Sequence, residues 1–271
     1  MNAVANPVVE WQVADGVCVV TLARPPVNAL DAALLAQLDA ALDAAQVDRG
    51  VSVLHLRSAL KVFGAGADLA LMQRAFADPA GPQEMLAVVR RMQQVFARLE
   101  ALPLVTLAEI GGAALGGGFE LALACDLRIA AHEARIGLPE AGLGLLPGAG
   151  GTQRLTRIVG ESVARRLILG AETVDGAEAA RLGLVHWAVP RGGLAAAAAV
   201  HARRLAALPR HALAANKRCI ALAGQPGESG YAEELAATAR LYDHPETRRR
   251  VAAFLDRRAA EPRTPTHQES P

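Results

Sequence analysis

Two glycine-containing loops are the segments of this chain best suited to hold a developing negative charge. The loops Gly64 to Asp68 and Gly116 to Gly118 each follow a predicted strand, and the second leads directly into a predicted helix. Backbone N–H groups without neighbouring side chains approach a ligand closely, and the positive end of a helix adds to their field. The pattern is typical of an oxyanion site, although tight turns and close packing also explain glycines at these positions.

Two glutamates lie close to these loops in sequence. Glu120 is in the first helical turn after the triple glycine, and Glu140 follows Pro139 at the end of an apolar stretch. Two carboxyl groups in a partly dry site can hold different protonation states, so that one activates water while the other gives up a proton. The helix macrodipole alone also favours a glutamate in a first turn, so spacing leaves both interpretations open.

Several other chemistries lack their sequence signatures. The chain has no GxGxxG, no GxxxxGK[ST] and no GxSxG motif, and its seven histidines form no HxH or HxxxH pair. We therefore expect neither a dinucleotide cofactor nor a bound metal. A net charge of +1 and 3% aromatic residues argue against nucleic acid as a partner.

The cellular setting is predicted from cysteine spacing and hydropathy. Three cysteines without CxxC spacing fit a reducing compartment, and the first residues lack the pattern of a signal peptide. Glu109 and Glu120 interrupt the most apolar region, so no membrane span is expected. These features predict a cytoplasmic protein.

The elements that must position the loops alternate between strand and helix. Strand-forming residues on both sides of Asp15-Gly16 predict a β-hairpin, and leucines at helical spacing predict a helix over 30–46, capped by Asp31. Further strands are predicted at 51–57, 104–110, 127–131 and 184–189, and further helices at 83–102, 119–124 and 152–169. The alternation indicates an α/β fold.

Alanine-rich helices dominate the last quarter of the chain. We expect a core with the active site over residues 1–200, a helical region over 201–260, and a disordered tail over 261–271.

From about Val8 to Arg258 the sequence resembles the enoyl-CoA hydratase/isomerase (crotonase) family. The supporting motifs, in order, are RPPVNAL at 24–30, FGAGADL at 63–69, ALGGGFELALACDLRIA at 114–130, LPEAGLGLLPGAGGTQRL at 138–155 and LGLVHWAVP at 182–190. Five motifs in the same order make the similarity specific. The resemblance implies a crotonase-like spiral of ββα turns with a C-terminal helical trimerisation region, and hence a homotrimer or homohexamer.

The resemblance also implies the roles of the site residues. The N–H groups of Ala67 and Gly117 are expected to hold the oxygen of an acyl-CoA thioester. Glu120 is expected to deprotonate the water that attacks C3 of a trans-2-enoyl-CoA, and Glu140 to protonate C2, with the reverse assignment also compatible. Because coenzyme A is part of this substrate, no separate cofactor is expected.

Coenzyme A contacts are implied along the segment from Arg24 to Ala29, in the first glycine loop, and near the C-terminus, where Arg257 or Arg258 would meet a phosphate. The predicted contacts are Arg24, Pro26, Val27, Ala29, Ala65, Asp68, Leu69, Phe254 and Arg257. A solvated basic helix end explains the arginines as well, and Asp68 is better suited to capping the next helix than to direct chemistry.

The chain departs from common family members at two places. Gly112 and Ala113 replace Asn or Asp and Tyr, and Ala70 and Leu71 replace Lys-Glu, so we expect changes around the acyl pocket. Double-bond isomerisation, thioester hydrolysis and non-catalytic acyl-CoA binding are the alternatives to hydration.

Overall fold

The computed structural model describes residues 7–66, 69–223 and 229–260. None of the helices in these ranges combines the length and the hydropathy of a membrane-spanning segment. The strands are β1 (Val9–Ala14), β2 (Val17–Leu22), β3 (Val53–Ser58), β4 (Val105–Ile110), β5 (Ala114–Leu115), β6 (Leu127–Ala131), β7 (Arg135–Gly137), β8 (Thr173–Asp175) and β9 (Trp187–Val189).

The α-helices follow the strands along the chain. They are α1 (Ala32–Val47), α2 (Leu69–Phe76), α3 (Gly81–Ala101), α4 (Gly117–Leu123), α5 (Gly151–Leu169), α6 (Gly176–Arg181), α7 (Leu194–Ala206), α8 (Arg210–Ala221), α9 (Gly230–Asp243) and α10 (Pro245–Ala260). Two short 3-10 helices lie at Pro139–Leu143 and Arg191–Gly193.

The main sheet has the order β1-β2-β3-β4-β6-β9. Its first pair is antiparallel and the other pairs are parallel, as expected where helices connect successive strands. Asp15 (φ 50°) and Gly16 (φ 77°) make the turn between β1 and β2, so the predicted hairpin is confirmed. The α/β class predicted from the alternating elements is confirmed as well.

Helices cover the main sheet through apolar stripes. Leucines at helical spacing are buried on α1, and Asp31 caps this helix by accepting a hydrogen bond from the Leu34 N–H at 2.9 Å, as predicted. Helix α7 contacts β2, β3, β4 and β6 and buries Leu194, Ala198 and Ala202. Its alanines let the helix backbone approach the sheet closely.

Some element boundaries differ from the prediction. The predicted strand over 184–189 is shorter, because the Leu184 N–H donates to Ala179 O in a turn and only Trp187–Val189 pairs with β6. The chain divides into two compact units, Met1–Arg210 and His211–Pro271, whereas the predicted boundary near residue 200 falls inside α7. The predicted tail, 261–271, lies outside the described residues.

Candidate active site

A small second sheet brings the two glycine loops and the segment before Glu140 together. Gly64 forms a parallel bridge to Ala114, and Ala114 and Leu115 of β5 pair in parallel with Ile136 and Gly137 of β7. Parallel strands end at the same edge of a sheet. The residues that follow each strand therefore meet there: Gly66, the triple glycine and Glu140.

Glycines allow the two loops to touch. A Cβ on Gly118 would overlap the carbonyl oxygen of Gly64, and a Cβ on Gly66 would lie 2.8 Å from the backbone nitrogen of Gly117. Gly66 also has a φ of 86°, a conformation that side chains disfavour. Close packing is thus one reason for these glycines, and it places Gly66 directly against the Gly117 amide.

The Gly117 N–H is available to a ligand. Three nearby amides are occupied, since Gly116 N–H donates to Gly137 O and those of Phe119 and Glu120 donate to Gly116 O. Among the described residues, the Gly117 N–H has no backbone acceptor. Ala67 and Asp68 lie outside the described residues, so the proposed partner amide of Ala67 stays a prediction.

Glu120 is buried at 2% exposure in α4. Its Oε1 accepts hydrogen bonds from the backbone N–H groups of Ala149 (2.8 Å) and Gly151 (2.7 Å). Gly151 is the first residue of α5, so the carboxyl group lies at the positive end of that helix. The dipole that favours a carboxylate here thus belongs partly to a helix distant in sequence.

Glu140 lies in the 3-10 helix Pro139–Leu143, against the triple glycine. A Cβ on Gly116 would lie 3.0 Å from Glu140 Oε1, closer than an ordinary contact, so the glycine lets this carboxyl group lie where it does without being displaced. Its Oε2 is buried and has no hydrogen-bond partner among the described residues. A buried oxygen without a partner is costly when ionised, which favours a protonated carboxyl group or a ligand contact.

The two carboxyl groups influence each other. Burial raises the pKa of Glu120 to about 7, and repulsion by Glu140 acts in the same direction. The two backbone amides and the charge of Arg154 oppose this rise. Burial also raises the pKa of Glu140. The pair is thus suited to proton transfer near neutral pH.

The predicted coenzyme A contacts are only partly described. Arg24 forms an ion pair with Asp31 at 2.8 Å, and the Ala65 N–H donates to Val27 O at 3.1 Å, which joins two of the predicted segments. Pro26 is exposed and Ala29 is buried. In the second unit Phe254 is exposed, whereas the side chains of Leu69 and Arg257 are not described. These contacts stay predictions.

Asn28 is a supporting residue that the sequence prediction omitted. It is fully buried with a φ of 49°, its Oδ1 accepts from Arg24 N, and its Nδ2 donates to Ser58 Oγ (2.8 Å) and Phe63 O (3.0 Å). It therefore ties the Arg24–Ala29 segment to the start of the first glycine loop. The only indication of this role in the sequence was the position of Asn28 within the RPPVNAL motif.

Gly112 has a packing role. A Cβ at this position would overlap the carbonyl oxygen of Lys61, so a side chain here requires a different path for the Lys61 backbone. Ala113 O accepts hydrogen bonds from the Phe63 and Gly64 N–H groups. The backbone at residue 61 therefore leaves no room at position 112 for the larger side chains of common family members.

One histidine-containing group in the second unit was not visible from spacing. His211, His244 and Glu246 offer ligand atoms within 4.8 Å of one another, and the two rings stack with centroids 3.5 Å apart. Glu246 Oε1 already accepts a hydrogen bond from Arg250 Nε at 2.9 Å. Because this guanidinium pairs with the carboxylate and repels a cation, we assign no metal to the group.

Known proteins of one family are similar to this chain in sequence. The enoyl-CoA hydratase/isomerase family model matches residues 12–263. A probable enoyl-CoA hydratase of Bacillus subtilis (strain 168) is 42% identical over 185 residues, which cover 68% of each chain. The 2,3-dehydroadipyl-CoA hydratase of Escherichia coli (strain K12) is 36% identical and covers 89% of this chain and 93% of its own.

A solved structure extends the agreement to the fold. The enoyl-CoA hydratase from Bacillus anthracis superposes with a TM-score of 0.86 at 32% identity, covering 92% of this chain and 96% of that chain. The resemblance inferred from the five motifs is confirmed, and with it the crotonase fold and hydratase chemistry on acyl-CoA thioesters. This chain belongs to the enoyl-CoA hydratase/isomerase family.

Proposed function

We propose that this protein adds water in syn fashion to the double bond of a trans-2-enoyl-CoA and forms a 3-hydroxyacyl-CoA. The observation that carries the proposal is that the buried Glu120 and the half-buried Glu140, whose Oε2 is buried, lie near the Gly117 N–H, which has no backbone acceptor among the described residues. Hydration needs a base, an acid and a stabiliser for the thioester oxygen. These three groups supply each function.

Glu120 acts as the base in this proposal. The amides of Ala149 and Gly151 stabilise its carboxylate form, and the second oxygen is left to orient water. Glu120 takes a proton from water while the hydroxide oxygen bonds to C3 of the substrate. The electrons of the double bond move through C2 and the carbonyl carbon onto the thioester oxygen.

Gly117 and Ala67 stabilise the negative charge that develops on that oxygen. Support comes from the Gly117 N–H, which has no backbone acceptor in the described part of the chain. The contact between Gly66 and the Gly117 amide also places the residue before Ala67 beside this amide. Removing one donor from such a site costs about 100- to 1000-fold in rate.

Glu140 acts as the acid that protonates C2. Its buried, unpartnered Oε2 supports this role, because the protonated form avoids an uncompensated buried charge. Before the next turnover, Glu120 must lose the proton that it took from water, and Glu140 must be protonated again. The reaction has no redox step and coenzyme A is part of the substrate, so the proposal includes no further cofactor.

We also propose an oligomeric state and a cellular compartment for this protein. Large apolar side chains are exposed on the second unit and support a homotrimer or homohexamer: Ile220, Tyr231, Leu235, Tyr242, Val251 and Leu255. Cys18, Cys125 and Cys219 form no disulfide with one another, which supports a reducing compartment such as the cytoplasm. Sedimentation velocity tests the assembly.

Crotonyl-CoA distinguishes the possible reactions. Hydration removes the absorbance of the conjugated thioester and yields a 3-hydroxyacyl-CoA by mass spectrometry. Release of free coenzyme A would instead indicate hydrolysis, and a β,γ-unsaturated product would indicate isomerisation. No reaction with a series of enoyl-CoA thioesters of different chain lengths would contradict the proposed activity.

A further inference from the structure

Arg154 is a buried cation that the proposed reaction does not use. It lies on α5 at 8% exposure, and its Nε and Nη2 donate to Glu100 Oε2 of α3 at 2.9 and 2.8 Å. Its remaining terminal nitrogen, Nη1, donates to the carbonyl oxygen of Ala149 at 3.0 Å. A buried guanidinium is stable only when paired, so Glu100 allows Arg154 to remain at this place.

Arg154 and Glu120 bind the two peptide groups on either side of the same residue, Ala149. The carbonyl oxygen of Ala149 faces Arg154, and its N–H faces Glu120 Oε1. Gly150, the next residue, has a φ of 104°, and a Cβ there would overlap Arg154 Nη1. The guanidinium therefore packs directly on the turn between the two amides that donate to Glu120.

Helix α3 holds this turn at a second point. Gln93 Nε2 donates to the carbonyl oxygen of Gly148 at 2.6 Å. Two consecutive carbonyl groups, those of residues 148 and 149, are thus fixed to α3, one directly and one through Arg154 and Glu100. A planar guanidinium bound at both ends restricts rotation more than a flexible ammonium would.

We propose that Arg154, held by Glu100, is a positioning residue that aims the amides of Ala149 and Gly151 at the Glu120 carboxylate. The inference rests on the proposed function of Glu120. In this proposal the ion pair between Arg154 and Glu100 aligns the amides that bind Glu120, in addition to joining α3 and α5. Among the described residues, Glu140 and Arg154 are the charged groups that act on Glu120.

The first test measures the proton affinity of Glu120 without any activity assay. Wild type, R154M, E120Q and R154M/E120Q are unfolded in urea across a range of pH. Loss of the positive charge and misalignment of the two amides should raise the pKa of Glu120. In R154M the urea midpoint should therefore continue to fall to a pH about one unit higher than in wild type. In the E120Q background R154M should lower the midpoint equally at every pH.

An equal effect of R154M in both backgrounds, at every pH, would overturn the inference and leave Arg154 as a purely structural residue. Because this test needs no turnover, its failure is distinct from failure of the proposed function. Should R154M not fold, R154K keeps the charge but loses the two-ended contact, and E100Q weakens the contact while leaving Arg154 in place.

The second test separates kcat from KM in enoyl-CoA hydration. R154M should lower kcat by about tenfold or more with little change in KM, because the buried Arg154 acts through the turn that aligns the base. R154K should recover part of kcat. R157M is the matched control, since exposed Arg157 contacts Glu100 at 3.5 Å but not the Ala149 carbonyl. A similar loss in R157M would contradict the assignment.

Discussion

Glu120 and Gly151 are in direct contact: the Gly151 N–H donates to Glu120 Oε1 at 2.7 Å, and a Cβ on residue 151 would come within 2.9 Å of the same oxygen. The absence of a side chain at residue 151 therefore sets how closely the amide approaches the carboxyl group. Pro147 closes the other side of this space, since its Cβ would also lie 2.9 Å from the added methyl group.

The first prediction follows from this contact. Gly151→Ala should displace the Glu120 carboxyl group and lower kcat by about 100-fold, because misplacement of a catalytic group by about 1 Å has an effect of that size. Steady-state kinetics with an enoyl-CoA measures it. Gly192→Ala is the control, since nothing lies within 4 Å of its added Cβ. Equal kinetics in G151A and wild type would show that the contact is not critical.

The second prediction concerns the loop before Ala67. Gly66→Ala should lower kcat by about 100-fold or more, because the new Cβ would lie 2.8 Å from Gly117 N and would force the two loops apart. Gly160→Ala separates this effect from backbone strain. Gly160 has a φ of 77°, close to the 86° of Gly66, but open space around it. A comparable loss of kcat in both variants would argue against an oxyanion site at Gly117.

The third prediction concerns stability and pH. The pKa of Glu120 rises from an ordinary 4.5 to about 7 on folding, so the native state binds more protons than the unfolded chain between these values. Stability should therefore fall as pH rises through this window and stay lower above it. The penalty is at most about 3.5 kcal/mol, for a rise of about 2.5 pKa units at about 1.4 kcal/mol per unit.

Glu120→Gln removes the ionisation and should remove this penalty. The variant should be more stable than wild type at about pH 8 and similar to it at about pH 5 in urea unfolding at constant protein concentration. Glu161→Gln, an exposed glutamate on α5, serves as the control. The same gain for E120Q at both pH values would show that ionisation of Glu120 is not the cause.

The fourth prediction concerns Asn28. Asn28→Ala should destabilise the protein by about 2 to 4 kcal/mol, because it removes a buried hydrogen bond to Phe63 O and part-buried hydrogen bonds to Arg24 N and Ser58 Oγ. Asn28→Gly separates the effect of hydrogen bonding from that of the positive φ, because glycine tolerates this conformation. Relative to Asn28→Ala, it should recover only about 0.5 to 1 kcal/mol of stability. Full recovery in N28G would mean that backbone strain, not hydrogen bonding, dominates.

The sequence alone predicted the structural features whose determining residues lie close together along the chain. The Asp15-Gly16 turn, the Asp31 cap and the leucine stripe of α1 each depend on residues within a few positions of one another, and all are present. The position of Glu120 directly after the triple glycine was a local signal of the same kind. The five motifs were sufficient to identify the family.

Distant contacts were not predictable from one sequence. Strand β5 has two residues and β7 and β8 have three each, too few for a periodic pattern, yet they bring the site together. Glu100 and Arg154 are 54 positions apart, and nothing near either residue indicates the other. The macrodipole argument for Glu120 considered its own helix, whereas its carboxyl group lies at the start of α5.

The most direct test of the central claim is the turnover of crotonyl-CoA by Glu120→Gln and Glu140→Gln, each compared with wild type and with Glu161→Gln. If both carboxyl groups transfer protons, each of the first two variants should lose about 100- to 10,000-fold in kcat while E161Q stays close to wild type. Full turnover in either E120Q or E140Q would contradict a mechanism that depends on the pair.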